Sequence, residues 1–455
     1  MSNKLDKRYG LLTAIAMVIG IVIGSGVFFK AEKVLKATGG NLLLGIIAWI
    51  IGGIIMISCA YTFAVMATKY EYVNGVVDYA EAAIGKTYGY YVGWFMAVIY
   101  YPTLTSVLAW VSARYTCVLF GFSITGGECM TIACLYLIGA FAINSLSPVL
   151  AGKFQVSTTI IKLIPLLLMA VVGTIVGLSN GMTVTNFTTV VENVDTFSGL
   201  FTAVVATAFA YEGWIIATSI NAELKDAKKN LPRALIGGTF AIMLVYILYY
   251  IGLAGAVSNE VMMAGGEAGA KLAFETVFSS IGGSLIFVFV IISCLGTLNG
   301  LMLGCTRGLY SIAVRGMGPK QEVFKQVDNI TNMPTNSSVI GLLFCGIWLL
   351  FFYGANLTDS WFGFFSFDSS ELPIVTIYAM YIPIFIMMIK KEKELSIFKR
   401  FIMPIVSICG CIFMMIAACF AHRIAVVAYL IVFAVVMIIG VVFANKVYVG
   451  SKMKN

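Results

Sequence analysis

The chain has 455 residues, of which 60% are hydrophobic and only 11% are charged, with a mean hydropathy of +0.97. Soluble domains carry about 25% charged residues, so the composition excludes a soluble globular fold. The net charge of +8 comes from lysines and arginines in short connections between apolar runs, which argues against nucleic-acid binding. The composition therefore predicts an all-α integral membrane protein.

Hydropathy predicts twelve membrane spans and their orientation. The spans cover residues 11–37, 42–68, 88–118, 128–147, 154–178, 197–220, 234–257, 282–314, 336–354, 361–389, 401–421 and 424–446. Most of the 29 Lys and Arg residues lie in the two termini and in the connections after spans two, six, eight and ten. By the positive-inside rule, both termini are expected in the cytoplasm of a multi-pass cell-membrane protein. The first apolar run has no small-residue cleavage pattern, so we expect it to be retained.

Four connections have a distinct composition. Residues 69–87 and 221–233 are polar and amphipathic, which favours short interfacial helices. Residues 258–280 resemble a helical cap on the outer side, and residues 390–400 form a charged inner linker.

Histidine and cysteine usage offers no catalytic or metal-binding pattern. The ten cysteines lie mostly inside apolar runs and form no Cys-x-x-Cys pair, which is typical of thiols that pack as small hydrophobes. We therefore expect no metal, no cofactor and no disulfide. The one histidine, His422, lies in a short connection, where we expect a solvated side chain. An integral-membrane enzyme would need a cluster of such groups near one face, so an enzyme is not predicted.

Span one contains the sequence Gly24-Ser25-Gly26 in the middle of an apolar run. Each glycine weakens a helix by about 1 kcal/mol relative to alanine. A membrane span tolerates a broken helix only where the freed backbone groups face protein, water or ligand. Taken alone, the small residues also fit a helix-packing motif.

Span six carries a second candidate break, at Glu212-Gly213. Spans one and six begin two five-span blocks, and because five is odd the second block enters from the opposite side. Interrupted helices at matching positions of inverted halves point to the substrate site of a transporter, and this pairing favours a break over simple packing. The predicted domains are a first repeat (1–178), a second repeat (179–389) and two further spans (390–455).

Four patches of sequence resemble the amino acid–polyamine–organocation superfamily. They are Ile23–Phe28, Phe209–Trp214, Glu223–Ala234 and Gly296–Gly300. The chain is most similar to the L-type amino acid transporter branch and its bacterial serine/threonine exchanger relatives. The resemblance implies a five-plus-five inverted repeat with discontinuous helices one and six, alternating access, and exchange of one amino acid for another.

The resemblance also implies how the backbone of span one would hold an α-amino acid. The N–H groups of Ser25, Gly26 and Val27, after the break at Gly24, would bind the substrate carboxylate. A helix N-terminus carries partial positive charge, which suits that role.

Carbonyl groups at the two breaks would bind the substrate ammonium in this family. The resemblance places these carbonyls at Val22, Ile23, Phe209 and Ala210, and it makes Phe209 an aromatic gate over the site. Asn299 would lie near the pocket.

Two charged residues within spans are further candidates. Lys162 lies eight residues into span five, about 12 Å along the helix axis, so its ammonium either snorkels to the interface or finds oxygen partners inside the protein. In the branches that match, a span-five lysine replaces the sodium ion of sodium-coupled members, which implies sodium-independent transport. Glu212 is costly in mid-span and either stabilises the break or contacts a cationic substrate.

The substrate class and the coupling stay open at this stage. We expect exchange of small neutral amino acids such as Ala, Ser, Thr and Cys. A proton-coupled symporter and an exchanger of cationic or dibasic amino acids are the alternatives. Animal relatives carry an outer cysteine that links them to a glycoprotein subunit, whereas residues 119–127 contain none, so no such partner is expected.

Overall fold

A computed structural model describes residues 10–69, 75–215, 224–331, 333–356 and 360–452. Over these ranges the chain is helical and contains no β-sheet, as the composition predicts. The helices are α1 (Leu11–Val22), α2 (Ser25–Ala37), α3 (Leu42–Ala67), α4 (Val76–Ala83), α5 (Lys86–Phe120), α6 (Gly127–Leu146), α7 (Leu150–Ser179), α8 (Met182–Thr188), α9 (Thr196–Tyr211), α10 (Ala227–Ala256), α11 (Asn259–Gly265), α12 (Glu267–Ala313), α13 (Gln321–Phe324), α14 (Thr335–Ala355), α15 (Leu372–Lys391), α16 (Phe398–His422) and α17 (Ile424–Lys452).

Ten helices in the described part of the chain are long and apolar enough to cross a membrane. They correspond to the predicted spans two to five and seven to twelve. The other two predicted spans are the interrupted ones: α1 and α2 together form span one, and α9, 16 residues long from Thr196 to Tyr211, covers only the first part of span six. The end of span six, 216–220, lies outside the described residues, so the count of twelve stays a prediction.

The predicted outer cap is helical. It consists of α11 and the beginning of α12, which is 47 residues long. Ser279 interrupts α12 with a positive φ of 67°, so the cap and the spanning part of this helix are two segments that meet at a kink.

Side-chain caps mark several helix starts. Asn41 accepts a hydrogen bond of 3.0 Å from the N–H of Leu44, and Asp195 accepts one of 2.8 Å from Ser198. Such caps satisfy N–H groups that the first turn of a helix leaves without partners. They begin α3 and α9 on the same side of the bundle, where α2 ends. We call this the α2 side, and the side where α1 begins the α1 side.

In the described part of the chain, three spans contain a π-helical turn. The turns are Met96–Tyr100 in α5, Met169–Gly173 in α7 and Phe398–Ile402 at the start of α16. A proline lies close to each, Pro102, Pro165 and Pro404, and its missing N–H removes one helical hydrogen bond. Wide turns of this kind are frequent at functional sites.

The two interrupted spans lie at the centre of the bundle. Helix α1 packs against α10, α2 packs against α9, and α12 packs against both α5 and α7. Helices α7 and α10 approach through glycines, since a Cβ on Gly173 would lie 2.6 Å from the carbonyl oxygen of Gly252. This packing fixes α7 beside the break in span one.

Candidate functional site at the two helix breaks

The break in span one is two residues long. Helix α1 ends at Val22, Ile23 and Gly24 have non-helical backbone angles, and α2 begins at Ser25. A Cβ on Gly24 would collide with the side chain of Thr297 in α12, so this position requires glycine. No side chain caps α2, which leaves the N–H groups of its first turn available. The Ser25 hydroxyl is also buried, without a partner among the described residues.

The break in span six follows Tyr211. The N–H of Glu212 still bonds to the carbonyl of Phe209 at 3.4 Å, but its ψ of 157° ends α9. Gly213 has a φ of 107°, a backbone conformation that L side chains rarely adopt. The sequence Glu212-Gly213 therefore ends the helix where the glycine pattern predicts.

The two breaks touch each other. A Cβ on Gly26 would lie 2.5 Å from the Cα of Ala210 and 3.1 Å from the carbonyl oxygen of Phe209. The N-terminus of α2 and the C-termini of α1 and α9 therefore surround one buried region. Free N–H groups attract a carboxylate, and free carbonyl groups attract an ammonium.

Tyr246 of α10 links the carbonyl groups at the ends of α1 and α9. Its hydroxyl lies 3.1 Å from the carbonyl oxygen of Ala210 and 3.3 Å from that of Val22. One hydroxyl has a single proton, so it donates to one carbonyl at a time and leaves the other able to accept from a ligand. Sequence analysis missed Tyr246, because a tyrosine in an aromatic-rich span carries no distinguishing pattern.

Phe209 lies where α2 and α9 meet. Its ring packs edge-on against Phe29, with 6.0 Å between centroids. The ammonium of Lys30 lies 5.2 Å from the Phe209 ring centre, at cation–π distance. Phe209 therefore lies between the helix breaks and charged groups of the α2 side.

Glu212 is buried at the span-six break. The hydroxyl of Tyr100, in the π-helical turn of α5, donates to its Oε1. Its Oε2 is also buried and has no partner in the part of the chain that the structure describes. The backbone of Gly213 also contacts the carboxyl group, so the side chain has two structural contacts, while Oε2 stays available to a proton or a ligand.

Lys162 does not snorkel to a membrane surface. It is fully buried, and its ammonium donates to the carbonyl of Gly20 at 2.9 Å and to the Thr297 hydroxyl at 3.0 Å. It thus joins α7 to α1 and α12, directly below the break in span one.

Asn299 makes contacts between spans. Its Oδ1 accepts from Asn144 of α6 at 2.9 Å, and its Nδ2 donates to the carbonyl of Ala151 at 3.1 Å. These bonds connect α12 to α6 and α7, and they use the amide group for packing within the bundle.

A charged cluster lies on the α2 side, above Phe209. Lys30 donates to Glu371 Oε1 at 2.5 Å and to the Ser370 hydroxyl at 3.0 Å. His422 Nε2 lies 2.9 Å from Glu371 Oε2. The expectation that His422 is solvated was therefore wrong, because the short connection after α16 brings the imidazole against the start of α15. We call Lys30, Glu371 and His422 the Glu371 latch.

Charged groups also meet on the α1 side. Lys69, after α3, forms ion pairs with Glu392 and Glu394, after α15. Its hydrogen bonds to these carboxylates raise the pKa of Lys69. The same contact lowers the pKa of Glu394. Both ends of α15 are thus tied by a lysine of another element.

Metal-ligating groups do not converge in the described ranges, where no three His, Cys, Asp or Glu side chains are placed to hold an ion. The cysteines are all free thiols, although Cys305 and Cys345 lie with their sulfurs 3.4 Å apart. The chemistry of the site is therefore that of backbone dipoles, Tyr246, Glu212 and Lys162.

The chain is similar in sequence to amino acid transport proteins and similar in fold to a solved structure. The model of the amino acid permease family matches residues 9–443. The serine/threonine exchanger SteT of Bacillus subtilis is 31% identical over 420 residues, which cover 91% of each chain. The b(0,+)-type amino acid transporter 1 of Mus musculus is 24% identical, over 91% of this chain and 83% of the relative. The crystal structure of MhsT in complex with L-phenylalanine shares the fold, with a TM-score of 0.59, 15% identity and coverage of 95% and 99%.

Proposed function

This chain belongs to the amino acid permease family, whose members are transporters and not enzymes, and we propose that it exchanges small neutral L-amino acids without sodium. The observation that carries the proposal is the contact between Gly26 and Ala210. It sets the free N–H groups of α2 beside the carbonyls of α9. A zwitterion, with one charge of each sign, matches this pair of helix ends better than a simple anion or cation.

The proposed site uses the backbone for the part that all α-amino acids share. Ser25, Gly26 and Val27 bind the carboxylate, and Val22, Ile23, Phe209 and Ala210 offer carbonyls to the ammonium. Side chains then select the substrate. The relative with 31% identity is named a serine/threonine exchanger, which supports small neutral substrates.

The proposal that transport requires no sodium is based on the contacts of Lys162. Its ammonium already donates to the Gly20 carbonyl and to Thr297. A fixed positive charge at this place ties α1 to α12 and leaves no need for a bound cation there. Lys162 then controls the movement of α1, and it does not contact the substrate.

Exchange of cationic amino acids is the second candidate, and one observation favours it. The Glu212 Oε2 is buried without a described partner, so it is available to a cationic side chain. A relative named for b(0,+)-type amino acid transport matches over most of the chain. Small neutral substrates remain the first choice because Glu212 already accepts from Tyr100.

The lysine and arginine distribution supports an orientation with both termini in the cytoplasm, so that the α2 side faces outward. We propose that the protein works without a glycoprotein subunit. Residues 119–127 have no cysteine, and the adjacent Cys117 and Cys129 are buried free thiols.

Uptake into proteoliposomes tests the proposal. Vesicles loaded with unlabelled alanine, serine or threonine should take up labelled serine faster than empty vesicles, equally well in sodium and in choline. A strict sodium requirement would falsify the assignment of Lys162. Uptake into empty vesicles that an inward proton gradient accelerates would favour proton symport instead.

A further inference from the structure

The Glu371 latch connects three separate elements at the α2 side. Lys30 belongs to α2, Glu371 directly precedes α15, and His422 ends α16. Each oxygen of the carboxylate has its own partner, Oε1 with Lys30 and Oε2 with His422. Lys30 and Glu371 are both buried, with 0% and 5% of their surfaces exposed.

The latch lies next to the aromatic side chains at the candidate site. Lys30 lies 5.1 Å from the ring centre of Phe29 and 5.2 Å from that of Phe209, the residue that lies over the helix breaks. Any opening of the α2 side that moves α2 away from the start of α15 must separate Lys30 from Glu371. Opening thus breaks a buried ion pair.

The three members of the latch do not move together in such an opening. Helix α15 packs along α16, whereas α2 packs along α9; α9 itself also packs against α16, but among the described residues α2 has no extensive contact with α15 or α16. Glu371 and His422 therefore stay paired while Lys30 leaves. This difference in movement determines whether a proton on His422 favours the closed or the open state.

We propose that His422 is a proton sensor that opens the α2 side in acid, because its imidazolium repels the Lys30 ammonium that shares the Glu371 carboxylate. In the closed state a protonated His422 lies close to the Lys30 ammonium, and like charges at this separation repel. In the open state that repulsion is relieved, while the contact with Glu371 remains. By linkage, the proton binds more tightly to the open state and so favours it.

Other charged groups also lie around the imidazole of His422. Asp368, which precedes α15, also faces His422, but it pairs with Lys33 of α2 at 3.5 Å. Lys33 thus leaves with Lys30 on opening, which exposes a second carboxylate to the imidazolium. Arg423 follows His422 directly in the chain and is present in both states. Together, the charges of these two carboxylates and two lysines also make protonation of His422 more favourable in the open state.

The inference rests on the proposed exchange activity, but it concerns regulation and requires no proton transport. Amino acid exchange should be measured in proteoliposomes with the same pH on both sides, from 7.5 to 5.5, so that no proton gradient exists. Neutral amino acids stay zwitterions over this range. An ordinary histidine titrates near 6.5, so we expect a rise of about fivefold on acidification.

Two substitutions at His422 give opposite expectations. His422→Gln removes the sensor, so its exchange rate should stay at the slow, high-pH value throughout. His422→Lys fixes a positive charge, so its rate should stay at the fast value. A wild-type rate that falls in acid, or a His422→Gln variant that keeps the acid response, would overturn the proposal.

A spectroscopic measurement tests the latch without transport. The sequence has one histidine, so after removal of any tag the labelled protein in nanodiscs gives one imidazole NMR signal. Its titration midpoint should be displaced in Lys30→Met and unchanged in Lys36→Gln, an exposed lysine of the same helix. An unmoved midpoint in Lys30→Met would refute the coupling. If the wild-type protein exchanges no amino acid at any pH, the proposed function fails, and this titration still decides the latch.

Discussion

Gly26 of α2 and Ala210 of α9 are so close that a Cβ on the glycine would lie 2.5 Å from the Cα of the alanine. Backbone atoms cannot give way as a flexible side chain can, so no larger residue fits at position 26 without moving one of the two helices. This contact brings the ends of two broken spans to one point, where the candidate site lies.

Gly26→Val should abolish substrate binding, because its side chain occupies the space between the two helix ends. The measurement is the rise in melting temperature that alanine or serine induces in detergent. Gly139→Val is the matched control, since a Cβ there meets nothing within 4 Å, and it should keep the full rise. Normal substrate-induced stabilisation of a folded Gly26→Val protein would disprove the site.

Lys162→Gln should slow exchange by about tenfold or more while substrate-induced stabilisation persists. The amide replaces a fixed charge that joins Gly20 and Thr297, so the movement of α1 is affected and the substrate contacts are not. Exchange rate and binding are measured on the same preparation. Equal losses of both would show that Lys162 contacts the substrate or supports the site itself.

Glu212→Gln separates the two substrate classes. If small neutral amino acids are the substrates, the amide still accepts from Tyr100 and the order of competing amino acids does not change. The measurement is inhibition of labelled serine exchange by a panel that includes lysine and arginine. Selective loss of inhibition by lysine and arginine would establish contact with a cation, and the second candidate function would then replace the first.

Lys69→Gln should lower the melting temperature slightly, because the ion pairs with Glu392 and Glu394 tie α3 to α15. These groups are partly or largely exposed, so water screens the ion pairs and the loss of stability is small. Lys390→Gln, another exposed lysine on the α1 side, is the control and should have no effect. A larger effect at position 390 would contradict the assignment.

The same cluster has a predictable pH dependence. Lys69 lowers the pKa of Glu394 below its ordinary value, so folding gains from this contact at neutral pH. The gain is complete above the ordinary glutamate pKa and is lost as the pH falls from there through the lowered pKa of Glu394. The difference in melting temperature between Lys69→Gln and the wild type should therefore shrink between pH 6 and pH 3.5, and a constant difference would exclude the ion pair as its cause.

Local patterns predicted the architecture because they depend on neighbouring residues. Hydropathy located the ten continuous spans, and the glycines at positions 24, 26 and 213 predicted where helices stop. The depth of Lys162 in an apolar run predicted that its ammonium either snorkels or finds oxygen partners, and the structure shows the second. Its role in coupling remains a prediction.

Contacts between distant spans could not be predicted in this way. His422 and Glu371 are 51 residues apart, and nothing in the neighbourhood of either indicates the other. Tyr246 reaches the carbonyls of both broken spans from a third helix whose sequence is simply apolar and aromatic. Such contacts depend on how helices pack, and packing is a property of the whole bundle.

The π-helical turn in α5 makes the number of residues in this segment matter for the site. Tyr100 ends the turn and Tyr101 follows it, and they face Glu212, directly after α9, and Gly304 of α12. Deleting one residue within 96–100 would restore an ordinary helix and leave the parts on either side of the turn in nearly the same relative orientation, because the wide turn accommodates one extra residue. The change would be confined to the side chains of the turn, Tyr100 among them. A single-codon deletion can thus alter the contact with Glu212 without changing the faces that the rest of α5 presents to its neighbours.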